Sequence, residues 1–182
     1  MTKQNLPNDA ASLATGLHDF LSIYSAGSAE LTYVFEGVKD ALIDLCKQNI
    51  RLGICTNKPF QPTKIVLDQF GLSGFFDSIT WGDQLSSRKP NPEMLYHVMA
   101  ALGTDSCLFV GDSEVDRHTA AAAHQPFALF TKGYRRTSIE VLAPEYYFED
   151  FVCLPAIAEA AFRAHYFENT RNMLADSFRD FI

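Results

Sequence analysis

Apolar positions along the chain alternate between helical spacing and short continuous runs, and that alternation predicts the elements. Leu13, Leu17, Phe20, Leu21 and Tyr24 recur at helical spacing, which predicts a first amphipathic helix ending in the loop Ala26-Gly27-Ser28. Val38, Ala41, Leu42 and Leu45 mark a second. Residues 50–55 read as a buried strand, and Pro59 punctuates the start of a helix that reaches Phe70 and is closed by Gly71. Residues 76–81 form a further strand candidate. Asn91-Pro92 is a helix start, cap then first-turn proline, followed by the buried stripe Leu95, Val98, Met99 and Leu102. Residues 107–110 make a wholly apolar strand ending in Gly111-Asp112, and after an alanine-rich helix residues 127–130 make the next.

Strands separated by single helices imply right-handed crossovers and a parallel sheet covered on both faces. The expected fold is therefore a doubly wound, Rossmann-like α/β domain. In such sheets ligands gather at the carboxyl ends of the strands. From Ala156 onward the chain reads as helical, with Phe162, Tyr166, Phe167, Leu174, Phe178 and Phe181 apolar amid charges; a packed terminal helix and an oligomer contact are both open readings.

Composition narrows the partners. Fifteen basic and 22 acidic side chains give a net charge of −7 over 182 residues, which argues against nucleic acid and anionic membranes as partners. The N-terminus lacks the apolar core of a signal peptide, and no stretch reaches membrane-span length. Cys46, Cys55, Cys107 and Cys153 have no metal-ligand spacing, and three lie in apolar surroundings. Buried free thiols in a reducing, cytoplasmic setting are the expectation. The five histidines likewise lack metal-ligand spacing.

Three clusters fall at predicted strand ends. In Cys55-Thr56-Asn57-Lys58-Pro59, a hydroxyl and backbone N–H groups can hold a phosphate oxygen, or Thr56 or Asn57 simply caps the next helix. In Arg88-Lys89-Pro90-Asn91-Pro92, Lys89 stands just before a proline-stiffened helix start, placed either to neutralise a phosphoryl group or to be a solvated surface lysine. In Gly111-Asp112-Ser113-Glu114-Val115-Asp116, Asp112 stands where a carboxylate ligand of Mg²⁺ would sit. Ser113 and Asp116 also match a capping box, which accounts for both of them but not for Asp112. Tyr134, Arg135 and Arg136 can line a substrate mouth or form a solvated loop.

Taken together in this order, CTNKP, RKPNP and FVGDSEVD resemble the haloacid dehalogenase-like (HAD) phosphohydrolases, and within them the phosphoglycolate phosphatase group. Phe35-Glu36-Gly37-Val38, Gly82-Asp83 and Pro126-Phe127-Ala128 extend the resemblance, which runs from Leu17 to Pro155. It implies that Thr56 binds the transferring phosphoryl group with Asn57 beside it, and that Lys89 is the catalytic lysine offsetting charge on phosphate and nucleophile. Asp112 would be the Mg²⁺ ligand, supported by Asp116 and Ser113. The implied substrate is a small phosphorylated metabolite. The implied chemistry is covalent: a carboxylate attacks phosphorus, and water then hydrolyses the aspartyl-phosphate.

One part of the pattern does not match. The resemblance implies a D-x-D-G-T motif after an N-terminal strand, and no D-x-D occurs in the 182 residues. With it go the nucleophile, the general acid and one Mg²⁺ ligand. The resemblance divides the chain into a cap-helix remnant (residues 1–30), a core domain (31–155) and a helical extension (156–182). The absent strand is the central one, so its loss predicts either a gap or a forced pairing of its two neighbours, and self-association through the exposed sheet. The intact Thr56, Asn57, Lys89 and Asp112 favour a truncated, catalytically impaired phosphatase. The alternative is a non-catalytic pseudophosphatase, a module that binds phosphate or a partner.

Overall fold

The computed structural model describes residues 32–164. The helix expected around Leu13–Tyr24 and the end of the C-terminal extension lie outside the described residues. The elements run in the order α1 (Val38–Lys47), β1 (Gly53–Cys55), α2 (Phe60–Gln69), β2 (Ser78–Thr80), α3 (Glu93–Ala101), β3 (Phe109–Gly111), α4 (Glu114–Ala122), β4 (Phe127–Phe130), α5 (Ile139–Leu142) and β5 (Tyr146–Phe148), and end in a helix, α6, at 154–164. No helix among the described residues is long and apolar enough to cross a membrane.

All strand pairs are parallel, as the crossovers require, but they form two sheets rather than one. β1 pairs with β2, Gly53 opposite Ser78, and β3-β4-β5 form the other sheet, with Phe109 opposite Phe127 and Ala128 opposite Tyr146. The inner edges of β1 and β3 are not hydrogen-bonded to each other. Of the two outcomes expected for an absent central strand, the structure adopts the gap.

The gap explains where sequence and structure differ. Residues 50–55 were expected to be a buried strand, yet only Gly53–Cys55 pair, with Gly53 exposed and its two successors half-buried. The strand expected at 107–110 begins at Phe109, and Val110 is exposed. Among the described residues neither strand has a hydrogen-bonded neighbour on the edge facing the gap. By contrast β4, paired on both edges, is buried at all four positions. Its side chains alternate between faces. Phe127 and Leu129 join Leu95, Met99, Phe109 and Ala120 in one cluster, while Ala128 and Phe130 join Leu45, Phe148, Leu154 and Ala158 in the other. The start of α6 is thus part of the core.

The helix boundaries follow local chemistry. Gly71 closes α2 with φ +63°, its N–H donating to Asp68 O while Leu72 N–H reaches Leu67 O. The start of α3 uses the Asn91 side chain, which accepts from Glu93 N–H at 2.9 Å. The stripe Leu95, Val98, Met99 and Leu102 is buried as expected. The cysteines are free, but not as expected: Cys46 and Cys153 are exposed, and only Cys55 and Cys107 are half-buried. Both exposed thiols sit in elements that turn one side to solvent, α1 and the turn at Phe151–Cys153.

Two facing strand edges without a ladder leave backbone groups dependent on water in the middle of a core. The chain alone is expected to melt broadly and below about 45 °C, the lower bound for ordinary mesophilic domains. A sharp, cooperative circular-dichroism transition above that temperature contradicts this.

Candidate active site

The carboxyl ends of β1 and β3 meet on one side of the molecule, and side chains connect them where no ladder does. Asn57, two residues beyond β1, clamps the backbone of Lys89: its amide Nδ2 donates to Lys89 O at 3.0 Å, and Lys89 N–H donates to its Oδ1 at 2.9 Å. Lys89, on a cis peptide bond to Pro90, sends its ammonium to Asp116 Oδ1 at 2.6 Å. The ammonium also lies 5.6 Å from the centre of the Phe109 ring. Asp116 Oδ2 accepts from Ser113 Oγ–H at 2.6 Å and from Asp112 N–H at 3.2 Å. One relay therefore runs from Asn57 through Lys89 and Asp116 to Asp112, joining the two sheets.

Thr56 stands next to Asn57 but outside that relay. Its N–H donates to Thr80 O, extending the β1–β2 ladder by one residue, and its Oγ1 accepts from Lys58 N–H at 3.1 Å. With one lone pair used locally, the hydroxyl proton remains available for an outside acceptor. Neither Thr56 nor Asn57 caps α2. That role belongs to Asp83, whose Oδ1 accepts from Phe60 N–H at 2.9 Å. Nothing local in the sequence signals Asp83 for the part, since it acts from 23 residues downstream. Gly82 beside it is needed for space: a Cβ there would lie 2.0 Å from Asn57 O.

The capping-box reading of Ser113 and Asp116 holds together with the site reading. Ser113 Oγ accepts from Asp116 N–H at the start of α4, while the carboxylate of Asp116 faces Lys89. Burial pushes the Asp116 carboxyl up, but the Lys89 ammonium, its hydrogen bond, the Ser113 hydroxyl and the Asp112 amide outweigh that and hold it below 3.8. Asp112 is shifted the other way. Burial raises it and the neighbouring Asp116 adds to this, against a hydrogen bond from Tyr134 N–H at 3.2 Å.

The loop carrying Tyr134 is itself tied down. Glu114 accepts from Arg136 N–H and Thr137 N–H at 2.7 and 2.6 Å; together with its own backbone N–H these hold its carboxyl at about 2. A Cβ at Gly133 would fall 2.2 Å from Asp112 Cβ, so this glycine lets the loop close over the carboxylate. Sequence reasoning did not find Gly133 or Glu114. Tyr134 is exposed, and Arg135 is half-buried with Nη1 on Thr137 O. His97, given no metal role, hydrogen-bonds the buried Thr80 hydroxyl at 2.9 Å.

The site offers a donor hydroxyl, an ammonium with two unused donors and a carboxylate short of solvation. Among the described residues no group of three or more acidic, imidazole or thiol side chains is poised to hold a metal. Mg²⁺, however, is commonly held by one or two carboxylates, with water and substrate phosphate completing its shell. Asp112 meets that lesser requirement: it is a half-buried carboxylate whose Oδ2 takes Tyr134 N–H at 3.2 Å.

The parallel α/β fold thus carries a hydroxyl, a lysine and an aspartate on the segments that follow three successive strands. The chain belongs to the haloacid dehalogenase-like hydrolase family, whose model matches residues 3–130. It is 46% identical over 123 residues to a phosphoglycolate phosphatase of Cereibacter sphaeroides, an alignment covering 68% of this chain and 56% of that protein. It is 38% identical over 141 residues to that of Rhodobacter capsulatus, covering 78% and 64%. The chain thus spans a little over half the length of such relatives. A solved structure of a predicted phosphoglycolate phosphatase from Haemophilus somnus superposes with a TM-score of 0.74 at 27% identity, over 82% of this chain and 68% of that one.

Removing one partner of a buried ion pair strands the other charge and costs about 3–5 kcal/mol. Lys89→Met is expected to lower the urea midpoint more than Lys89→Met combined with Asp116→Leu, and equal or additive losses contradict the pairing. Because Asp116 is depressed, its contribution is complete above 3.8 and is lost as pH falls through its lowered value.

Asp112 has the opposite sign. Its raised carboxyl destabilises the fold when charged, so Asp112→Asn is expected to raise the melting temperature at pH 7, with the gain vanishing as the pH is lowered through its titration. A melting temperature unchanged or lowered at pH 7 contradicts this.

Proposed function

We propose that this chain forms the phosphoryl-binding part of a Mg²⁺-dependent, phosphoglycolate phosphatase-like hydrolase, with a small phosphomonoester as its substrate class. The observation that carries the reading is the relay from Asn57 through Lys89 and Asp116 to Asp112, which brings three strand-end clusters into one site. Thr56 donates its hydroxyl to one phosphoryl oxygen. Lys89, fixed by Asn57 behind and Asp116 beside, directs its remaining donors at the same group. Asn57 acts on the phosphate through Lys89, since both ends of its amide are engaged by that residue's backbone.

Asp112 is the residue that would hold Mg²⁺, with Asp116 fixing its backbone and Ser113 fixing Asp116. Such an ion, when bound, draws charge from the phosphoryl oxygens. The chain's own contribution is electrostatic: it binds and orients, and it excludes water from the Lys89–Asp116 side. Attack on phosphorus needs a nucleophile in line with the leaving group, and the sequence contains no D-x-D to supply the family's aspartate. The chain by itself therefore binds phosphate without turnover, the behaviour of a truncated and catalytically impaired phosphatase.

Titration calorimetry with 2-phosphoglycolate and Mg²⁺ tests this. Saturable binding is expected. It should be lost in Thr56→Val and made Mg²⁺-independent in Asp112→Asn, with phosphate release at background throughout. Undiminished binding in Thr56→Val contradicts the site, and Mg²⁺-dependent release that disappears in Asp112→Asn contradicts the non-catalytic reading.

A further inference from the structure

The segment between β4 and α5 is held at both ends and again in its middle. Thr131 N–H donates to Phe148 O at 2.8 Å, which carries the β4–β5 ladder one residue past the strand. Ser138 O accepts from Leu142 N–H at 3.1 Å at the start of α5. Between these points two carboxylates take the backbone of the segment. Asp112 Oδ2 accepts from Tyr134 N–H, and Glu114 Oε1 accepts from both Arg136 N–H and Thr137 N–H. Arg135 bends back within the segment, its Nη1 donating to Thr137 O at 2.9 Å. Asp112 and Glu114 flank Ser113, the N-cap of α4, so both are set on one helix start.

The two contacts are not equivalent. The bond to Asp112 is 3.2 Å long, at the outer limit for N–H···O, whereas those to Glu114 are 2.7 and 2.6 Å and engage successive amides. Two adjacent N–H groups on one oxygen fix the path of a backbone far better than one long bond does. Glu114 therefore anchors the loop, and the loop delivers the Tyr134 amide to Asp112. What that amide supplies is an orientation. The Cβ–Cγ torsion of an aspartate is broad and roughly two-fold, so its own preference does not decide which way the oxygens face. An amide on Oδ2 decides it. The approach is close enough to need Gly133, where a Cβ would lie 2.3 Å from that same oxygen.

We propose that Glu114 is a positioning residue for the metal-binding carboxylate: by anchoring residues 136–137 it keeps the Tyr134 amide on Asp112 and so fixes the orientation in which Asp112 meets a divalent cation. The inference rests on the reading of Asp112 as the residue that holds Mg²⁺. Carboxylates that bind metals owe part of their affinity to such outer hydrogen bonds, whose removal costs about 10–100-fold. Glu114 stands one step further out, which puts its effect at about tenfold, the low end of that range. A rival account is that the negative charge of Glu114 attracts the cation through space. Glutamine separates the two, since its Oε1 still accepts two N–H groups but carries no charge.

The test compares the unsubstituted chain with Glu114→Ala, Glu114→Gln and Gly133→Ala. Amide hydrogen exchange is read without metal, and calorimetry follows Mg²⁺ in the presence of 2-phosphoglycolate. In Glu114→Ala, exchange is expected to quicken at Tyr134, Arg136 and Thr137 while Phe127–Phe130 stay protected, and Mg²⁺ affinity to fall about tenfold. Binding of 2-phosphoglycolate without Mg²⁺, which uses Thr56 and Lys89, is expected to be unchanged. Gly133→Ala pushes the loop off Asp112 without touching Glu114, and is expected to give the same Mg²⁺ loss. Glu114→Gln is expected to recover most of both. The proposal is overturned by a Tyr134 amide that exchanges no faster in Glu114→Ala, by equal losses of Mg²⁺ affinity in Glu114→Ala and Glu114→Gln, or by an equal loss of Mg²⁺-free binding. Phosphoglycolate binding that ignores Mg²⁺ in the unsubstituted chain overturns the reading of Asp112 and this inference with it. Mg²⁺ dependence that survives intact in Glu114→Ala and Gly133→Ala overturns the inference alone.

Discussion

The buried ion pair between Lys89 and Asp116 is the constraint on which the rest of the structure depends. β1 and β3 share no backbone hydrogen bond, so the relative position of their carboxyl ends is set by side chains. Taking two charges out of water is favourable only when their remaining donors and acceptors are also matched. Here they are. The side chains are 12% and 9% exposed, and the acid also accepts from Ser113 Oγ–H and Asp112 N–H. Asp116 thus fixes the start of α4, holds the backbone at Asp112 and orients the lysine. The approach depends on Gly111, where a Cβ would fall 2.4 Å from that of Asp116.

This arrangement separates two jobs that a continuous sheet performs together. A ladder both fixes strand ends and fills the layer between helices. In this chain the first job is done by hydrogen bonds of Asn57, Lys89 and Asp116, while the second is left undone. The polar end is consequently ordered, and the apolar middle is open between two helix layers that still face each other across it.

Much of this was legible in the sequence, and the exceptions have physical causes. Helix positions and the parallel strands follow from periodicity and from local signals such as Gly71 and Asn91. The first and third clusters directly follow β1 and β3, because that placement depends on neighbours in sequence, whereas Arg88–Pro92 begins eight residues beyond β2. The extents of β1 and β3 were not legible: an apolar run reports the propensity to be buried, whereas pairing depends on a partner elsewhere in space. β5 escaped notice because Tyr146-Tyr147-Phe148 is three residues between acidic neighbours, too short to show a period. The Asp83 cap, the Gly133 approach and the Glu114 anchor each join residues about twenty positions apart, and no local pattern encodes them. Asn57 is the instructive case. The resemblance set it beside the phosphoryl group, and in the structure both ends of its amide bond the Lys89 backbone.

The site and the gap also share a wall, which explains how the polar end keeps its order beside a cavity. Phe109 belongs to β3, lines the gap and lies beneath the Lys89 ammonium; Cys55 lines the gap from the other side. Burial pushes the Cys55 thiol up to about 11, even with Lys89 near enough to pull it down. The surroundings of the ion pair are therefore poorly solvated. Charge pairs strengthen as local solvation falls, so the helices that roof the cavity supply much of the shielding a central strand would give. The lysine is held by Asp116, Asn57 and the Phe109 ring, and of these Phe109 belongs to a strand paired on the side away from the gap.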